Sequence, residues 1–156
     1  MKKIIIYDTE IIENKPQLVE KQVVDVESTE VMDSPEKIHQ LFNTVFHLGR
    51  KTEKYVYLIG FNTKNKILGI FELAHGTINQ AILQPREIMM RLLLLNAESF
   101  SVVFNNPSQD VTPSESVINV SSTIEDAADL MYVRLIDFII VSEKEYCSFR
   151  DKGLIK

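Results

Sequence analysis

Apolar residues recur along this chain in two rhythms, one of period two and one of period near 3.6, and the changes between them mark the elements. Ile4-Ile5-Ile6-Tyr7 predicts a strand and Gln22 to Val26 a second, with Asn14-Lys15-Pro16 lying between them. Ser34-Pro35-Glu36 then supplies an N-cap followed by proline at the first helical position. Ile38, Leu41, Phe42, Val45 and Phe46 follow at helical spacing, and Gly49 is the expected stop. Tyr55 to Phe61 is continuously apolar, as a strand covered on both faces is. Asn62-Thr63-Lys64-Asn65 reads as a turn, and Ile67 to Leu73 returns as a partner strand. Pro85 opens a helix whose Ile88, Met89, Met90 and Leu92 to Leu95 make it apolar nearly all round, predicting burial between layers. Ser99 to Phe104 is a short strand, and residues 105–113 are loop. Thr112-Pro113-Ser114-Glu115 combines a capping box with proline at the first helical position and predicts a helix to about Asp129. Tyr132 to Val141 is another covered strand, and Tyr146 to Phe149 a short last one. Strands and helices alternating in this order predict a three-layer α/β domain with a mixed β-sheet flanked by helices.

Composition narrows this picture without changing it. The 156 residues, 45% hydrophobic and 25% charged, are those of one globular domain that can bury a full core. Residues 1–33 read as an N-terminal extended arm of two strands, and residues 34–156 as the domain. The net charge is −5, and the arm alone holds 4 Lys against 8 Asp and Glu. No basic face emerges, so nucleic acid is not an expected partner. Apolar runs are too short for a membrane span, and Asp8 and Glu10 interrupt Ile4-Ile5-Ile6 too soon for a signal peptide. A single cysteine, Cys147, excludes an internal disulfide and a cysteine-rich zinc site. Together these features lead to the expectation of a cytoplasmic protein.

A series of motifs carries a resemblance. Glu53-Lys54-Tyr55-Val56 leads to Asn62-Thr63-Lys64-Asn65, then Gly76-Thr77-Ile78-Asn79 and Gln84-Pro85-Arg86-Glu87-Ile88. Asn105-Asn106-Pro107-Ser108-Gln109-Asp110 and Thr112-Pro113-Ser114 follow, then Leu135 to Val141, Ser148-Phe149 and Gly153-Leu154. In this order and spacing they resemble the RadC-type branch of the JAB/MPN (JAMM) metalloprotease family, over roughly residues 34–156. The resemblance implies the three-layer, cytidine-deaminase-like JAB/MPN fold and zinc-dependent amide or isopeptide hydrolysis. The family's loop reads His-x-His-Pro-Ser-Gly-Asp and then Pro-Ser-x-x-Asp. Two His and the last Asp hold the metal, and three protein ligands leave a fourth position for an activated water.

At those positions this sequence departs from the family. The first His position is Phe104, the second is Asn106, and the Asp position is Val117. Gln109 stands where the loop has Gly, and the family's Leu-Asp-His is Ile136-Asp137-Phe138. Phe and Val offer no lone pair, and an Asn amide oxygen is a poor zinc ligand. No metal or other cofactor is therefore expected, although the family would use zinc. Without a cation a buried Asp would be costly, and Phe104, Val117 and Phe138 are expected to close the old site as a hydrophobic cluster. Glu53 matches the family's proton-shuttling carboxylate and Ser114 the serine that steadies the transition-state oxygen. Both are read as vestigial: Glu53 as a solvated carboxylate opening a strand, Ser114 as a helix-start residue.

The remaining candidates have plainer readings. His39 and His47 sit two turns apart on the first predicted helix, too distant to share a metal. His75 could combine with Asp110 and Glu53 in a rebuilt metal site. Cys147 has no legible His partner and reads as a packed thiol, while Asp110 and Asp137 read as hydrogen bonders at a turn and a strand end. The sequence leads to a RadC-like domain that has lost hydrolysis and acts as a binding or scaffold module, with a protein partner or self-association expected. The alternatives are a metal-dependent hydrolase with rebuilt ligands, and a DNA-linked accessory protein.

Overall fold

A computed structural model describes residues 2–27, 31–76 and 83–156. The chain runs β1 (Lys2–Ile12), β2 (Lys15–Val26), α1 (Pro35–Val45), β3 (Lys54–Phe61), β4 (Ile67–Gly76), α2 (Pro85–Leu95), β5 (Ser99–Asn105), α3 (Glu115–Leu130), β6 (Arg134–Val141) and β7 (Tyr146–Ser148). The strands form one mixed sheet in the order β2-β1-β4-β3-β5-β6-β7. The β1/β4 and β5/β6 neighbours are parallel and the others antiparallel. The helices lie on both faces, giving the α/β architecture read from the sequence.

Burial on both faces accounts for the continuous apolar strands. Val56 and Leu58 of β3, Phe100, Val102 and Phe104 of β5, and Phe138 of β6 pack with Ile88 and Leu92 of α2 and Val117 and Ile124 of α3. The alternate residues Tyr57, Ile59, Val103 and Ile139 face Ile38 and Phe42 of α1. β1 and β2 are longer than their apolar cores, because the hairpin continues past Tyr7 to a two-residue turn. Glu13 and Asn14 there take φ of 53° and 65°, the left-handed pair that a type I′ hairpin turn requires. The hairpin joins the sheet through Ile6 opposite Ile70 and Tyr7 opposite Phe71, and Ile4, Ile6 and Val26 enter the core beneath α1.

Several local expectations are corrected. α1 stops at Val45 with Phe46 as its cap, so His47 lies beyond the helix in a left-handed conformation, before a 3-10 turn at Leu48–Arg50. Gly49 sits in that turn because a Cβ there would meet the Glu143 backbone nitrogen at 2.5 Å. α2 is a surface helix, with Leu93 and Leu94 exposed rather than buried between layers. The cap of α3 is Ser114 rather than Thr112, and β6 starts at Arg134 because Tyr132 turns out into solvent at a φ of 57°.

Candidate functional site

β5 ends where the loop before α3 begins, so this end of the sheet gathers the residues singled out above. Phe104 packs edge-on against Phe138, with centroids 5.9 Å apart and planes at 70°. Phe138 lies against Phe149 at 5.5 Å. Val117, from the first turn of α3, is buried in the same cluster. Ring pairs of this kind contribute about 1 kcal/mol each beyond the area they bury. A bulge in β6 makes the arrangement possible. Phe100 pairs with Leu135 but Ser101 with Asp137, so Ile136 is an extra residue and Leu135 and Phe138 share one face. Asn106 turns back on its own loop and donates to the Asp110 carbonyl oxygen at 2.9 Å.

This donor set does not fit a zinc ion. Of Phe104, Asn106, Val117 and Phe138, only Asn106 carries a side-chain heteroatom, and its amide nitrogen is engaged. Among the described residues, no group of three His, Cys, Asp or Glu is arranged to hold a metal.

Glu53 lies beside this loop, its carbonyl accepting from the Asn105 side chain. Its exposed carboxylate lies 3.5 Å from the His75 imidazole, which itself stacks on Tyr55 at 4.8 Å. Tyr55 belongs to the α1 side of the sheet, whereas Val56 pairs with Phe104 on the α2/α3 side. The side chain that reaches over Phe104 is Lys54, whose ammonium nitrogen sits 5.0 Å from the ring centroid. Lys54 is half-buried, and that burial pulls its pKa below the ordinary lysine value. Sequence reasoning missed Lys54. The signal was the alternation of β3, which puts residues 54, 56 and 58 on one face and residue 55 on the other.

The other candidates hold the surrounding loops. Ser114 caps α3 by accepting from the Val117 N–H at 3.3 Å and remains exposed. Asp110 accepts from the Thr112 N–H at 2.9 Å, and this bond lowers its pKa. Gln109 adopts a φ of 69°, the conformation for which a glycine is best suited. Its side chain donates to the Gly49 carbonyl at 2.9 Å and accepts from the Glu143 N–H at 3.0 Å, tying the loop to two others. Asn105, which sequence reasoning also passed over, is buried. It accepts from the Tyr55 N–H at 2.7 Å and donates to the Glu53 carbonyl at 2.9 Å. Asp137 is buried and accepts from Ser148, from the Phe138 N–H at 2.8 Å and from the Arg150 N–H at 3.1 Å. Burial raises its pKa, against the opposing effect of those donors. Cys147 is buried and its thiol is pushed up by desolvation, the state of a packed cysteine.

His39 is half-buried and bonds the Ser142 carbonyl at 3.0 Å, while His47 lies 3.3 Å from the Arg50 guanidinium. On the α1 side, His75, Tyr55, Tyr57 and Phe46 form a column of stacked rings. Burial raises the pKa of Tyr57 within it, with smaller contributions from Glu72 and Tyr55. Thr77, Ile78 and Asn79 of the Gly76-Thr77-Ile78-Asn79 motif lie outside the described residues. No helix among the described residues is long and apolar enough to cross a membrane.

Comparison with known proteins agrees with this architecture. Residues 32–154 match the RadC-like JAB domain. A UPF0758 protein of Geotalea uraniireducens is 31% identical over 129 residues, covering 83% of this chain and 56% of the relative. A UPF0758 protein of Chlorobium chlorochromatii is 32% identical over 105 residues, 67% of this chain and 47% of the relative. A UPF0758 protein of Clostridium tetani is 34% identical over 103 residues, 66% of this chain and 45% of the relative. The chain thus spans about half the length of these relatives. With the mixed sheet, the flanking helices and the loop between β5 and α3 all in place, the chain belongs to the RadC-like JAB domain family.

Proposed function

We propose that this RadC-like JAB domain holds no catalytic metal, does not hydrolyse amide bonds, and works as a binding or scaffold module. The observation that carries this reading is the closed packing of Phe104, Val117 and Phe138 where the family pattern has a His, an Asp and a His. A site filled by packed rings leaves neither a lone pair for a cation nor room for the water it would activate. Glu53 and Ser114 keep the family's residue types, and here the carboxylate faces His75 while the hydroxyl caps a helix. Exposed apolar side chains at the ends of two helices, Leu93 and Leu94 on α2 and Leu130, Met131 and Tyr132 at the end of α3, offer surface for a protein partner.

Metal content decides between this and a hydrolase rebuilt around the His75–Glu53 contact. Elemental analysis of chain purified without chelator or polyhistidine tag should give less than about a tenth of an equivalent of zinc. Near one equivalent would refute the metal-free reading. The scaffold role predicts self-association or retrieval of a protein in a pull-down. A chain that stays monomeric at high concentration and retrieves nothing would count against it.

A further inference from the structure

We propose that Lys54 is the built-in cation of this site, its ammonium seated on Phe104 so as to exclude a divalent metal. The inference rests on the metal-free reading above and deepens it. β3 places Lys54 on the face that carries Val56 and Leu58, directly beside β5, and its ammonium lies 5.0 Å from the centroid of the ring at the first ligand position. An aromatic face attracts a cation, and the attraction grows as water is removed. Lys54 is half-buried, and among the described residues it has no carboxylate partner. Glu53, its neighbour in the chain, is committed to His75 on the other side of the strand. Among the described residues the Phe104 ring is thus the group that faces the Lys54 ammonium, at the first of the three positions from which a metal would be held.

This arrangement has a consequence that loss of ligands alone does not. Restoring the ligands should not restore the metal while Lys54 remains, because a dication would then be held a few ångströms from that ammonium. The test is carried out in the full chain. Asn106→His and Val117→Asp are combined with Phe104 kept as the seat of the ammonium, with and without Lys54→Ala, and zinc chloride affinity is measured by calorimetry. Zinc should bind about 100-fold more weakly when Lys54 is retained. Equal affinities in the two rebuilt chains would overturn the inference.

Val117→Asp buries a carboxylate, so a second measurement on the native sequence keeps the proposal open to refutation if the rebuilt chains do not fold or take no zinc. The Lys54 ε-methylene protons should be shifted upfield by the Phe104 ring in a proton–carbon correlation spectrum, and Phe104→Leu should abolish that shift. Random-coil ε-proton positions in the native chain would overturn the seat itself. The two readings fail separately. Stoichiometric zinc in the native chain refutes the metal-free reading and this inference with it. A zinc-free native chain whose rebuilt form binds zinc equally well with Lys54 present refutes this inference alone.

Discussion

Asn105→Ala should cost about 2–3 kcal/mol, because it leaves both the Tyr55 N–H and the Glu53 carbonyl without their buried partner. Chemical denaturation of the two chains checks this, and a cost under about 0.5 kcal/mol would show that water replaces the amide. Gln109 makes a two-sided case. Gln109→Ala removes both tethers and keeps the left-handed backbone, whereas Gln109→Gly removes the tethers but relieves the strain. The alanine variant should therefore be the less stable of the two by about 1 kcal/mol, with denaturation midpoints as the readout. Much of the residue scale is legible in the sequence: the resemblance puts Phe104, Val117 and Phe138 at the family's ligand and His positions, and they pack in one cluster. Lys54 and Asn105 are not legible, because a lysine or asparagine looks the same in sequence whether its side chain meets solvent or a neighbouring strand. Only strand pairing shows that Lys54 shares a face with Phe104 and that Asn105 bridges to Glu53.

Helix α3 and strand β6 each hang on one polar group. Ser114→Ala removes the cap of α3 and should cost about 1 kcal/mol of stability, read from the thermal midpoint; no loss would mean that Ser114 does not cap in solution. Asp137 ties the β6 bulge to β7 and the turn after it. Its folded-state pKa is raised by burial, so the folded chain favours the protonated form more than the unfolded chain does. The stability this contributes is present below the unfolded value of about 3.9 and is lost as pH rises through the folded value. Over that window the native chain should lose stability relative to Asp137→Asn, seen as a difference in urea midpoints that shifts in the variant's favour as pH rises. A gap that stays constant with pH would contradict the burial effect. Element existence and order follow from periodicity alone, but ends do not. Thr-Pro and Ser-Glu both present a capping oxygen, two residues apart, and only backbone geometry selects Ser114 over Thr112. The apolar stretch of α2 reads as a buried helix, yet Leu93 and Leu94 face out, since composition does not say how many sides of a helix are covered.

The whole molecule is one sheet with α1 on one side and α2 and α3 on the other, and its first hairpin guards an edge. Removing residues 2–26 would uncover the outer edge of β4 at Ile70 and Phe71 and take Ile4, Ile6 and Val26 from the core beneath α1. The shortened chain should self-associate, as light scattering would show; a monomer with an unchanged melting temperature would mean the hairpin does not shield that edge. The sequence separates this hairpin from the rest because its charge balance differs, but charge is a property of the exposed side of β2 and the buried side follows the common core. The ring column on the α1 side has a consequence of a different kind. Tyr55 is held between His75 and Tyr57, and Tyr57 is held in turn against Phe46, so a half-turn of either tyrosine ring needs its neighbours to give way. For Tyr57, which is buried, such a turn waits on the layer around it, so the motion of that one ring times the breathing of the layer.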